Sequence, residues 1–167
     1  MKNNNNYRIL LLNDHDPMTG IGNYIFGILN AFRKMNCSRY SFHMLMQNAK
    51  RSNIPDYTDI SVQFRPLFHN SSNYGRTYDL FSYFYFPKLI PQGYNIYHIS
   101  NQMMGRSILK VHPTVITCHD MIPFMFGGNH NVLVESLRKR SIAAMKGASF
   151  IIFVSKHTIM VCTLFLI

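Results

Sequence analysis

The sequence predicts an α/β fold, a Rossmann-like parallel sheet with helices on both faces. Three observations carry this. Short, continuous apolar runs recur along the chain, as expected of strands buried on both faces. Segments of helical periodicity lie between them, the arrangement of parallel strands joined by crossover helices. The chain has 167 residues, of which 47% are apolar and only 14% charged, enough for one domain with a substantial core.

Each element has its own justification. Residues 7–13 form an apolar run after a polar tail (residues 1–6) and read as the first strand. Ile21, Tyr24, Ile25, Ile28, Leu29 and Phe32 then recur at helical spacing. Arg33 and Lys34 near the carboxyl end complement the helix dipole. Residues 40–46 read as strand two, residues 47–60 as polar loop with Pro55, and residues 61–64 as strand three. Residues 77–89 are rich in aromatics and read as a helix stopped near Pro91. Within them Tyr78, Phe81, Tyr83, Phe84, Tyr85 and Phe86 read as core, with a lipid or sugar contact as the minority reading. Residues 96–99 and 114–118 are two further strands. Asn131 is placed to cap a helix over residues 132–146, with Gly147 as its stop. Residues 150–154 are the last strand, and Ser155 is placed to cap a helix after it. Residues 159–167 are apolar, without a helical polar face, and are set apart as an aberrant tail after a domain spanning residues 7–158.

Charge and cysteine content narrow the function. Seventeen Lys and Arg against seven Asp and Glu give a net charge of +10, which favours an anionic partner. Arg138, Lys139, Arg140 and Lys146 make one helix basic, so an anionic membrane surface is a reading to set beside a plain solvated face. No nucleic-acid-binding motif accompanies the charge, so nucleic acid is not expected as a partner. Cys37, Cys118 and Cys162 are scattered, with neither zinc spacing nor a disulfide framework, which points to a reducing compartment such as the cytoplasm. No apolar run reaches the roughly 20 residues needed to span a bilayer.

The chemistry-bearing residues fall at strand ends. The run over residues 114–118 stops abruptly at His119 and Asp120, followed by Met121, Ile122 and Pro123. Open α/β sheets bind ligands at the carboxyl ends of their strands, so this pair is the leading catalytic candidate, suited to polarising a hydroxyl or stabilising developing charge. A satisfied loop pair is the competing structural reading. Gly20-Ile21-Gly22 opens the first helix after the first strand. Glycines there let backbone N–H groups approach a phosphate at the positive helix end, and a tight turn that needs small residues explains them equally well. A dinucleotide fingerprint is incomplete, because its third glycine falls at Ile25 and no acidic residue follows strand two. Asp14, His15 and Asp16, taken with Gly128, Asn129 and His130, resemble parts of a metallophosphoesterase pattern. The middle Gly-Asp segment is missing and the first has the wrong order, so no metal is expected.

A family resemblance joins these segments. Arg8-Ile9-Leu10-Leu11-Leu12, the turn Gly20-Ile21-Gly22-Asn23-Tyr24, the stretch from Thr114 to Pro123 and Phe150-Ile151-Ile152-Phe153-Val154-Ser155 follow in the order and approximate spacing of family 4 glycosyltransferases. The chain up to about Thr158 resembles the amino-terminal half of such a GT-B enzyme. The resemblance implies retaining transfer of sugar from a nucleotide-sugar donor to a sugar or lipid-linked acceptor, with the nucleotide-sugar as co-substrate and no required metal or other cofactor. It assigns Gly20 and Gly22 to the donor phosphates, His119 to the transferred sugar with Asp120 beside it, and Ser155 to the interdomain cleft. The donor-binding domain that carries the family's paired glutamates has no counterpart in the sequence. Three functions are therefore carried forward: an acceptor-side domain that works with a separate donor domain, a non-catalytic remnant or binding module, and, less favoured, a Rossmann-type oxidoreductase.

Overall fold

The computed structural model describes residues 6–35, 38–47, 61–65, 86–104, 111–125 and 132–166. Among the described residues six strands form one sheet: β1 (Tyr7–Asn13), β2 (Tyr40–Gln47), β3 (Ser61–Arg65), β4 (Ile96–Ile99), β5 (Thr114–Cys118) and β6 (Phe150–Phe153). Their order is β3-β2-β1-β4-β5-β6, and every neighbouring pair is parallel. The described helices are α1 (Gly20–Met35), α2 (Phe86–Leu89), α3 (Ile122–Met125), α4 (Val132–Gly147) and α5 (Lys156–Leu166). The architecture is the expected Rossmann-like α/β sheet.

Alternation along the strands explains the two-sided burial. In β1, Ile9 and Leu11 pack with Ile25, Phe26 and Leu29 of α1 and with Met44 and Met46 of β2. Leu10 and Leu12 point the other way, into a larger core with Tyr97, Ile99, Ile116 and Cys118. That second core is roofed by Phe86 of α2, Phe124 of α3, Ala144 and Met145 of α4, and Val161 and Cys162 of α5. Helices therefore cover both faces. Each fully buried Leu or Ile contributes roughly 1.5–3 kcal/mol relative to exposure, so β1, with five consecutive buried residues from Ile9 to Asn13, is firmly anchored.

The sheet order fixes where a ligand can sit. Chain progression runs outward from β1 to β2 and β3, then returns to the other side of β1 with β4. The reversal lies between β1 and β4, and in a parallel sheet every strand presents its carboxyl end to the same edge. Loops after β1, β4 and β5 therefore meet at the topological switch point.

The carboxyl-terminal segment is ordered differently from its sequence reading. Most of residues 159–167 lie in α5, whose Val161 and Cys162 are buried in the main core, while Met160 and Leu164 are 69% and 79% exposed. Ser155 caps this helix: its Oγ accepts the Thr158 N–H at 3.1 Å. Strand β6 is an edge strand with one covered face. Ile151 and Phe153 pack on the core, whereas Phe150 is 72% exposed. Only the last four residues of the aromatic helix expected over residues 77–89 are described, as α2. The Tyr78–Tyr85 aromatics, Asn131 and Cys37, like the loop expected over residues 47–60 apart from Gln47, lie outside the described residues, as does nearly all of the polar tail.

Candidate functional site

The site is assembled from four chain segments at the switch point. Asn13 ends β1 with a fully buried side chain. Its Oδ1 accepts the Ser100 hydroxyl at 2.9 Å and the His15 N–H at 3.2 Å, and its Nδ2 donates to the His15 carbonyl at 2.8 Å. One amide thus ties the end of β1 to the residue after β4 and shapes the following loop. In that loop His15 Nδ1 lies 2.6 Å from Asp14 Oδ1. This hydrogen bond raises the His15 pKa above its usual value against the opposing effect of burial, with the Asp14 charge adding to the rise.

Asp16 sets the turn into α1. Its Oδ1 accepts the Met18 N–H at 3.0 Å, and its carbonyl accepts both the Thr19 N–H and the Thr19 hydroxyl. Thr19 is the helix cap, since its Oγ1 accepts the Gly22 N–H at 3.1 Å. The two glycines expected to face a phosphate consequently differ. A Cβ on Gly22 would stand 1.9 Å from the Asp16 carbonyl oxygen, and its N–H is already engaged by Thr19. Gly22 is needed for the close approach of the loop. Gly20 is exposed, with nothing within 4 Å of where its Cβ would stand. The Gly20 and Ile21 N–H groups belong to the first turn of α1, where the helix itself supplies no acceptor, so these are the donors a ligand would meet.

His119 and Asp120 follow β5 and are braced on several sides. Gln102, 2% exposed, accepts the His119 N–H through Oε1 at 3.1 Å and donates through Nε2 to the Asp120 carbonyl at 2.7 Å. The His119 ring places Nε2 2.8 Å from the Ser100 carbonyl oxygen. A carbonyl can only accept, so Nε2 carries the proton and Nδ1 is the ring atom left for a ligand. Asp120 Oδ1 accepts the Ile122 N–H at 3.0 Å and so caps α3. On the far side, Thr158 of α5 donates its hydroxyl to the His119 carbonyl at 3.2 Å and is bonded in turn to Ser155 Oγ at 2.9 Å.

The structure thus brings the expected residues His119, Asp120, Gly20, Gly22 and Ser155 to one edge, with Ser155 and Gly22 engaged in helix-capping bonds. Arg138, Lys139 and Arg140 lie on α4, and Arg138 and Lys139 both reach Glu135 one turn earlier. The Arg138 side chain is 14% exposed and 3.7 Å from Glu135, whereas Lys139 is 75% exposed. Gly128, Asn129 and His130 lie outside the described residues. Among the described residues no group of three His, Cys, Asp or Glu side chains is arranged to hold a metal.

Sequence reasoning overlooked Asn13, Ser100 and Gln102. Their signal was available, since each lies at the polar end of an apolar strand, as His119 does. It also overlooked a buried polar chain beneath the site: His98 Nε2 lies 2.8 Å from Thr117 Oγ1, which lies 3.3 Å from the Tyr24 hydroxyl. Burial, with the nearby His119 adding to it, lowers the His98 pKa to about 4.

Chemically, the edge is rich in groups that bind hydroxyls. It holds three of the chain's seven acidic residues, Asp14, Asp16 and Asp120, in a protein of net charge +10. Carboxylates, an imidazole and the N–H groups of a helix N-terminus suit a ligand carrying both hydroxyls and an anionic group. No protein-family model matches the sequence, and no curated protein matches it either.

Proposed function

We propose that the chain is the acceptor-side domain of a retaining glycosyltransferase that takes sugar from a nucleotide-sugar donor and works together with a donor-binding domain. The observation that carries this reading is the convergence at one switch point of the Gly20 helix end and His119, whose Nε2 is committed to Ser100 and whose Nδ1 is left for a ligand. In this reading the Gly20 and Ile21 N–H groups receive donor phosphate oxygens. His119 Nδ1 accepts a hydrogen bond from a hydroxyl of the transferred sugar, and the Asp14 and Asp120 carboxylates receive hydroxyls of the acceptor. His119 acts on the reacting sugar by positioning and electrostatics.

The reading puts the chain in the cytoplasm, where nucleotide-sugars are used, and at an anionic membrane surface when the acceptor is lipid-linked. Among the described residues no helix is long and apolar enough to cross a membrane. The test is sugar transfer measured with the chain alone and with a donor-binding domain fused to it or added in trans. The expected result is weak UDP-glucose binding and no transfer alone, and transfer once the second domain is supplied. Closure around the substrate aligns the reacting groups. In the reconstituted enzyme, His119→Ala is expected to lower kcat more than it weakens donor binding. Transfer by the chain alone, or unchanged turnover in His119→Ala, overturns the reading.

A further inference from the structure

We infer that Tyr24 is the positioning residue for His119, held in place from beneath by Thr117 and His98, and that it couples the Gly20 helix end to the His119 loop. The inference rests on the glycosyltransferase reading for its purpose, though not for its geometry. The Tyr24 and His119 rings meet edge to face at 89°, with centroids 5.1 Å apart. That contact lies on the imidazole whose Nε2 is bonded to the Ser100 carbonyl. An imidazole held by one hydrogen bond still pivots about it, and a ring packed against its side removes that freedom.

Tyr24 is itself restrained at both ends. Its backbone belongs to the second turn of α1, four residues after Gly20. Its hydroxyl lies 3.3 Å from Thr117 Oγ1, which is fully buried and 2.8 Å from His98 Nε2. These groups sit on the α1 face of the sheet, because Tyr97, Ile99, Ile116 and Cys118, the alternate residues of β4 and β5, point into the opposite core. Burial keeps His98 neutral above about pH 4, so the support persists at physiological pH. A ligand that draws the first turn of α1 toward itself therefore moves the residue that holds His119.

The test reads the imidazole directly. Two-bond proton–nitrogen correlation spectra of the labelled full chain, at a pH where His119 is neutral, report the ratio of its Nε2–H and Nδ1–H tautomers. The wild type should show the Nε2–H form in large excess. Tyr24→Leu should lower that ratio by roughly two- to tenfold, the scale of one aromatic contact. Thr117→Val should lower it by less, and Thr117→Ser should restore it. If Tyr24→Leu does not fold, Tyr24→Phe, which keeps the ring and loses the hydroxyl anchor, should reproduce the Thr117→Val effect. An unchanged ratio in folded Tyr24→Leu, or in Tyr24→Phe and Thr117→Val together, overturns the inference. With UDP-glucose as the probe, Gly20 and His119 resonances should shift together in the wild type and independently in Tyr24→Leu. If the probe shifts neither, sugar transfer fails as the purpose, while the tautomer ratios still decide the positioning.

Discussion

Lowering the pH should destabilise this protein through His98 in particular. His98 is 7% exposed and its folded pKa lies at about 4, against 6.5 for an unperturbed histidine, chiefly because burial penalises the charged ring. Between those values the unfolded chain binds a proton that the native state refuses. Stability is therefore intact above about pH 7, falls as pH drops through 6.5, and levels off near pH 4. At 1.36 kcal/mol per pH unit the gap corresponds to roughly 3 kcal/mol, a large part of the stability of an ordinary domain. His98→Gln keeps a group able to bond Thr117 and removes the titration. Among the described residues two other histidines, His43 and His15, are shifted, and both contribute equally in the two proteins and cancel in the comparison. His43, lowered by burial and then by Arg8, acts in the same direction as His98. His15, raised mainly by its bond to Asp14, acts oppositely, with stability present below 6.5 and lost as pH rises through its folded pKa. The assay is urea unfolding followed by far-ultraviolet circular dichroism across pH 4 to 8, since the sequence contains no tryptophan. The wild type should lose roughly 3 kcal/mol more than His98→Gln between pH 7 and pH 4. Parallel stability curves for the two proteins would refute the assignment.

Two further outcomes follow from local geometry. Gly22→Ala forces a Cβ to 1.9 Å from backbone, so it should cost about 2–4 kcal/mol in thermal or urea unfolding, whereas Gly20→Ala, with open space around it, should stay within about 1 kcal/mol of the wild type; equal effects would contradict the packing described for the loop. Binding to anionic vesicles, measured by cosedimentation, should weaken by about 2 kcal/mol in a Lys139→Ala, Arg140→Ala double variant and by less in Arg138→Ala, whose side chain is largely covered; binding that is equal on neutral vesicles would remove the electrostatic account.

What the sequence revealed and what it withheld divide along physical lines. Helix α1 was legible because its apolar residues repeat at helical spacing, and strand β1 because its apolar residues form one continuous run, as expected of a strand buried on both faces. The same holds for the β5 run that delivers His119 and Asp120. Ser155 was readable as a cap because capping is a local bond. The polar chain from His98 to Tyr24 was not readable, since it joins residues 19 and 93 positions apart and forms only when β4, β5 and α1 are stacked. The glycines show the same limit. Gly20 and Gly22 look equivalent in sequence, and only the path of Asp16 over α1 separates a residue required for packing from one open to a ligand. Arg138 and Lys139 are adjacent basic residues that both reach Glu135, yet the first side chain is largely covered and the second largely in water, a difference that only the packing around α4 sets.

The reversal of strand order beside β1 also governs when the site comes into being. The register of β1 with β2 sets Tyr7 beside Tyr40, a contact that closes a short stretch of chain. The bond between Asn13 and Ser100 joins residues 87 positions apart. During synthesis the loop after β1 emerges long before Ser100, and the bond from Ser100 to Asn13 becomes possible only once β4 lies on the far side of β1. Non-local parallel pairing of this kind forms slowly. By the same argument the edge that carries His119 is expected to assemble after the strands and helix of the amino-terminal part.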